Sequence, residues 1–328
     1  MSRHSFIRYL PCAVVLGLAG AAAAQAPDPR IAGATVQGKV RPIAQEQLLL
    51  DAAHASYGQR VRQNTRALLD IVQRNPALSP PLGLDIAPFF VVRTPAVGVN
   101  RHIVQYDLGE GFYWYTSRSG NQIVPESVSG AALYLHANHI SPAFKPSETW
   151  VEDETKQTYW EPRQIGEQAG HPYYDSHALV IKKTGRPIWI PLTNEQVLAR
   201  MLDNAKKAQA GLPPEAETRV RELAKQDVSC YAAAFARLTA TARREPAYLT
   251  PLPRGAECSP LADASVPQAR RLVRENPDFY DKTVSPADIQ VVVLNFGAIQ
   301  YPPRLWQHAV VKKLQETMDY AALQAMIR

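Results

Sequence analysis

Cysteine is scarce here: three residues in 328. One of them, Cys12, falls within the N-terminal leader described below. The two that remain, Cys230 and Cys258, cannot complete a structural zinc shell and are too far apart for a Cys-x-x-Cys redox motif. Long apolar runs are also missing after residue 24, so no later stretch approaches the roughly 20 residues that a membrane-spanning helix requires. No run of Lys and Arg follows one helix face, and the basic residues are interleaved with acids, which argues against a nucleic-acid partner. Several nucleotide and nucleophile signatures are absent as well. The chain has no Gly-x-Ser-x-Gly elbow, no Ser-x-x-Lys, no Walker phosphate loop and no Gly-x-Gly-x-x-Gly fingerprint. These absences exclude the families with strong local motifs, not enzymes as a class.

What is present begins with a leader. Arg3 and Arg8 precede an apolar run over 13–24, and Ala22, Ala23 and Ala24 supply the small residues that signal peptidase requires. Residues 1–24 therefore read as a signal peptide, and the mature chain as periplasmic or secreted with no transmembrane segment after cleavage. Loss of Arg3 and Arg8 takes the formal charge from +6 to +4. In an exported protein an isolated cysteine pair reads as a disulfide, Cys230 to Cys258. Closing that loop would contribute about 3–4 kcal/mol in the chain-entropy account.

The mature chain divides by pattern. Residues 25–43, rich in Pro, Gly, Ala and Gln, read as a flexible lead. Residues 44–210 read as an α+β domain: a helix over 44–75, strands over 89–93, 101–107, 111–117 and 131–138, and then a β-hairpin that feeds a helix. In that last unit Leu179 and Ile181 are expected to face Ile188, Ile190 and Leu192 across a turn at Gly185. Thr193 and Gln196 have capping-box spacing before Val197, Leu198, Met201, Leu202 and Ala205. Residues 211–328 read as a mainly helical C-terminal part packed on the same core. It holds helices from 214 to 245, over 269–275, 305–318 and 321–327, and one buried strand over 288–295. The fold class is α+β, a central antiparallel sheet carrying the hairpin-to-helix unit and flanked by N-terminal and C-terminal helices. The stretches GRPIWIPLTNEQVLARML, NPDFYDKTVSPADIQVVVL and MDYAALQAM resemble segments of exported bacterial proteins without assigned function, and the resemblance implies no mechanism.

Two constellations carry chemistry. Histidines cluster in the sheet and loop region, and His136, His139, His171 and His177 with Asp175 offer the nitrogen and oxygen donors that zinc takes. Spacing weighs against part of this set. Residues three apart on a strand face opposite sides, so His136 and His139 share an ion only if the chain bends between them. The second constellation is aromatic. Residues 141–176 show no clear element, and they hold Trp150, Tyr159, Trp160, Tyr173 and Tyr174 among several acids, a mixture suited to sugar rings. The plainer account is that these rings cover the sheet and the acids are solvated. The expectation is a cell-envelope binding or accessory factor without a cofactor, its partner a cell-wall glycan, a peptide or another envelope protein. The competing expectation is a metal-dependent or glycan-directed hydrolase using zinc.

Overall fold

A computed structural model describes residues 33–43, 45–95, 100–117, 122–129, 131–143, 149–151, 158–183, 185–250, 260–296 and 305–328. Residues 1–32, which include the expected signal peptide, and Cys258 of the expected disulfide lie outside the described residues.

The elements follow one another as β1 (Gln45–Leu49), α1 (Gly58–Gln73), β2 (Leu84–Arg93), β3 (Gln105–Ser117), β4 (Ile123–Pro125), β5 (Ala131–Ala137), β6 (Thr149–Val151), β7 (Thr158–Trp160), β8 (Gln164–Gln168), β9 (His171–Tyr174), β10 (Ala178–Lys182) and β11 (Trp189–Pro191). The C-terminal part adds α2 (Asn194–Ala210), α3 (Thr218–Arg237), α4 (Ala240–Arg244), β12 (Tyr248–Leu249), β13 (Arg270–Glu275), β14 (Val291–Phe296), α5 (Trp306–Glu316) and α6 (Tyr320–Ala325). The class is α+β, as the alternating strand pattern between terminal helices requires.

Among the described residues, one sheet of nine strands runs β1-β2-β3-β5-β14-β10-β9-β8, with β4 paired to β3. A smaller sheet runs β11-β13-β7-β6, with β12 paired to β13. At the middle of the large sheet lies β14. Its apolar sequence VVVLNF is buried on both faces between β5 and β10, which is why it lacks the alternation of a half-wet strand. One face of the sheet meets α1, α5 and α6 through Leu68, Val72, Leu108, Phe112, Leu314 and Leu323. On α1, Val61, Thr65, Leu68, Leu69 and Val72 recur at helical spacing and form the buried stripe. The opposite face packs on a second core that contains Ile140, Val180, Ile188, Phe279, Tyr280 and Val293.

Several expectations change on contact with the fold. Residues 45–49 form a strand, not the start of a helix. They lie parallel on β2, with Gln45 opposite Phe89 and Leu49 opposite Arg93, and after one 3-10 turn over Ala55–Tyr57 the α-helix begins only at Gly58. Glu, Gln and Leu favour helix on their own, but the ladder offered by a sheet edge outweighs a few tenths of a kcal/mol of propensity. Residues 270–275 form a strand for a similar reason. As β13 they are held between β11 and β7, with Leu272 opposite Trp160 and Val273 opposite both Tyr159 and Pro191. The expected hairpin over 177–192 does not close on itself. β10 pairs with β14, matching Leu179 to Leu294 and Ile181 to Val292, while β11 crosses to the smaller sheet. Pro187 and Pro191 remove two backbone donors that a β10–β11 ladder would need, and β14 presents a fully apolar partner. The downstream half of that unit is as expected: Thr193 and Gln196 form a reciprocal capping box on α2.

The C-terminal part is therefore less helical than its pattern suggests, and β12, β13 and β14 weave it into both sheets. Residues 141–176 are not one irregular loop, since they contribute β6, β7, β8 and β9. The end of the lead is also tied down. Gly38 N–H donates to the Pro81 carbonyl and Arg41 N–H to the Ile86 carbonyl, and the Arg41 guanidinium bonds buried Asp85 at 3.1 Å.

Candidate functional site

Register places two polar side chains side by side on one face of the large sheet. In the β3–β5 ladder Asp107 lies directly opposite His136. Tyr106 and Leu108, on either side of Asp107, point into the helical core. Alternation therefore turns Asp107 and His136 together toward the other face. His136 Nδ1 lies 2.7 Å from Asp107 Oδ1.

His139 joins them because the chain bends between the two histidines. Asn138 has φ of 56°, a left-handed conformation that asparagine tolerates better than most residues. The side chain of Asn138 fixes that bend. Its Nδ2 donates to the carbonyls of Val104 at 3.1 Å and Asp288 at 2.7 Å, and its Oδ1 accepts from Gln290 N–H at 2.8 Å. Asn138 is fully buried. The turn carries His139 back to the same carboxylate, with Nδ1 2.6 Å from Asp107 Oδ1. The two imidazoles meet edge to face with centroids 5.6 Å apart.

Asp107 is thus approached on one oxygen by two imidazoles and on the other by a guanidinium, Arg93 Nη2 donating to Oδ2 at 2.6 Å. Burial alone would raise the Asp107 carboxyl, but hydrogen bonds from His136 and His139 and their charge interactions hold it well below the usual carboxylate range. Burial lowers His136, with Asp107 acting in the opposite sense. A neutral imidazole beside an ionised carboxylate is the protonation state in which both can ligate a metal.

The surroundings of this trio differ at its two ends. On the β2 side, Phe89, Gly109 and Tyr134 form one cross-strand row. Tyr134 stacks on His136, interplanar angle 10°, and Phe89 meets Tyr134 edge to face. The Phe89 ring occupies the space a Cβ on Gly109 would need, at 2.2 Å, so glycine is what lets that ring lie on the sheet. Beyond His139 the wall is polar and comes from the smaller sheet. Glu275, at the end of β13, accepts from Asn100 Nδ2 at 2.9 Å and from Ser141 Oγ at 3.2 Å, and the Tyr159 hydroxyl reaches Ser141 Oγ at 3.4 Å. Burial raises the Glu275 carboxyl, while Asn100, Ser141 and the nearby charge of His139 act against that rise.

Asp107, His136 and His139 have donor atoms all within 4.8 Å of one another, and they are the one such group among the described residues. The donor set, two imidazole nitrogens and a carboxylate oxygen, is that of three-ligand zinc or iron sites with open positions. Tetrahedral ligands at about 2.0–2.1 Å from an ion stand about 3.3 Å apart. The contacts at Oδ1 would open by well under 1 Å as an ion replaces the two Nδ1 protons, a shift within side-chain reach.

The other expected site residues are placed elsewhere. His171, on β9, is buried with its ring 6.3 Å from that of Tyr320. Asp175 accepts from Arg163 N–H, and His177 lies with Nδ1 3.3 Å from the Tyr173 hydroxyl. None of these three belongs to the Asp107 group. Of the aromatic set, Tyr159 and Tyr174 are buried in the core, Trp160 and Tyr173 are half-buried, and Trp150 lies on the backbone of β6. Arg270 sits over the Trp160 ring at 5.6 Å. Cys230 is buried on α3.

Asp107 and Arg93 escaped the sequence reading. Gly109 looked like a break between two short strands, which made Asp107 a strand end. It is instead the third residue of a thirteen-residue strand. The alternation Tyr106, Leu108, Phe112, Trp114 was the available signal, since it runs through both glycines and assigns Asp107 to the face of His136. No protein-family model, no curated protein and no solved structure matches this chain.

Proposed function

We propose that this chain is a metal-dependent hydrolase of the bacterial envelope, holding a divalent transition metal on Asp107, His136 and His139. One observation carries the reading: a backbone bend at Asn138, locked by three hydrogen bonds, brings two histidines onto a single carboxylate. Non-glycine residues held in sparsely populated backbone regions cluster at functional sites, which is the sense in which this bend supports the reading. Three protein ligands leave room for water, and a bound ion would acidify that water and polarise a carbonyl or phosphoryl oxygen. The chain's own residues do the rest. Asp107 and the two imidazoles would hold the ion, Arg93 orients the carboxylate, and buried Glu275 lies on the His139 side, where it accepts from Asn100 and Ser141. The envelope location rests on the leader-like sequence over 1–24 and on the expectation that Cys230 pairs with Cys258, and zinc is the metal the donor set favours.

The test is metal content. The mature protein, exposed to zinc and then freed of excess, should retain about one equivalent and melt at a higher temperature than after chelation. Asp107→Asn and His139→Ala should each lose at least about 3 kcal/mol of binding, a factor of more than 100 in affinity. Absence of stoichiometric metal, with melting indifferent to chelator, would end this reading. Metal without turnover on ester, amide and phosphoester substrates would move the assignment to an envelope binding or accessory factor.

A further inference from the structure

We propose that the ligand of this site carries an oxyanion, a carboxylate or phosphate group, bridging the metal and the Arg93 guanidinium; this rests on the metal reading above. Arg93 closes β2 two positions beyond Val91, the residue opposite Asp107. Its place on the same face as Asp107 follows from strand alternation. The guanidinium gives one nitrogen, Nη2, to Asp107 Oδ2 at 2.6 Å, and the side chain keeps 43% of its surface exposed. That is its one polar contact among the described residues. A guanidinium has five N–H donors in a planar fork, so most of the fork is left for a partner on the open side.

Charge points the same way. With a divalent ion in place, Asp107 supplies the one negative charge among the three ligands, and Arg93 already cancels it. Neutral imidazoles add nothing, so the site would hold an excess of two positive charges. In a partly buried site such an excess is costly unless the ligand supplies negative charge. Water can fill the open metal positions but does not answer the guanidinium. An oxyanion does both, with one oxygen toward the ion and another toward the guanidinium, whose planar, weakly hydrated donors suit an oxyanion better than a lysine ammonium does. The aromatic row of Phe89 and Tyr134, the latter 40% exposed, bounds the site on the side away from Glu275. A ligand with an apolar body behind its anionic head would find a surface there.

The experiment uses the full mature chain loaded with zinc and freed of excess metal. Three probes are titrated against it: inorganic phosphate, acetate, and imidazole as a neutral metal ligand. Arg93→Gln should weaken binding of the favoured anion by about tenfold or more, the loss expected of a charge-assisted hydrogen bond. Imidazole affinity should change by a clearly smaller factor than the anion's, since imidazole takes only the metal position and feels Arg93 solely through Asp107. Arg93→Lys should fall between, retaining charge without the fork. Stronger binding of phosphate than acetate, or the reverse, assigns the tetrahedral or the planar head group. If Arg93→Gln shifts phosphate, acetate and imidazole alike, Arg93 acts solely through Asp107 and the inference is overturned. If neither anion binds the zinc-loaded parent, it is overturned as well, while metal uptake leaves the hydrolase reading standing. If the parent takes up no zinc, both fall together.

Discussion

Asn138 is the residue on which the site turns, and its contribution has two separable parts. The backbone part is the positive φ, which costs a β-carbon-bearing residue such as alanine roughly 1 kcal/mol. The side-chain part is three hydrogen bonds to Val104, Asp288 and Gln290, all inside the fold. Asn138→Ala loses both, strands buried backbone groups, and should cost about 3–5 kcal/mol in urea denaturation. Asn138→Gly loses only the hydrogen bonds and should be about 1 kcal/mol more stable than the alanine variant. Equal stability of the two would show that backbone strain is not what asparagine relieves. The two histidines were visible in the sequence, and so was the condition on which they could meet. The bend itself was not, because an Asn after an alternating strand signals a turn without specifying its hand, and the groups that hold it come from residues 104, 288 and 290. Long-range partners of this kind leave no local trace.

At the scale of elements, legibility follows how far away the deciding contact lies. The start of α2 is local: Thr193 accepts from Gln196 N–H at 3.3 Å, and Gln196 returns a bond to Thr193 N–H at 3.0 Å. The same four residues that suggested the cap make it. Thr193→Ala should therefore cost about 1 kcal/mol of stability, and Thr193→Ser should restore most of it. An alanine variant as stable as the parent in chemical denaturation would mean that α2 is held by Val197 and Leu198 packing alone. The hairpin half of the same stretch misled because its outcome depends on β14, more than a hundred residues later. Leu179 and Ile181 fit Ile188 and Ile190 by pattern, yet they pair with Leu294 and Val292. Residues 270–275 show the same logic. ARRLVRE has apolar residues too few to fix a period, and the sheet edges on either side decide that it is a strand.

The whole molecule carries a pH dependence that originates on the opposite face of the sheet from the candidate site. Glu110 lies on the helix-facing side of β3, 1% exposed, where Leu68, Leu69, Val72, Leu108, Leu133 and Leu135 surround a void of about 10 Å³. Gln73 Nε2 donates to its Oε1 at 3.1 Å, while Oε2 has no partner. Burial raises this carboxyl from 4.5 to about 7, against the lowering influence of Gln73. A raised folded-state value means that the native protein holds a proton the unfolded chain has already released. Stability from this group is complete below about pH 4.5 and is lost as pH rises through about 7, by a total on the order of 3 kcal/mol. Glu110→Gln keeps the shape and the bond to Gln73 but cannot ionise, so it should remove that slope. Other buried groups are shifted as well, Glu275 upward and His136 downward, both chiefly by burial, and add their own pH dependence. The informative quantity is therefore the difference between parent and variant in urea denaturation at pH 5 and pH 8. The variant should gain about 2–3 kcal/mol relative to the parent at pH 8 compared with pH 5. Parallel pH profiles would mean that Glu110 is hydrated or paired in the ionised state, and that the core between α1 and the sheet is wetter than its lining implies.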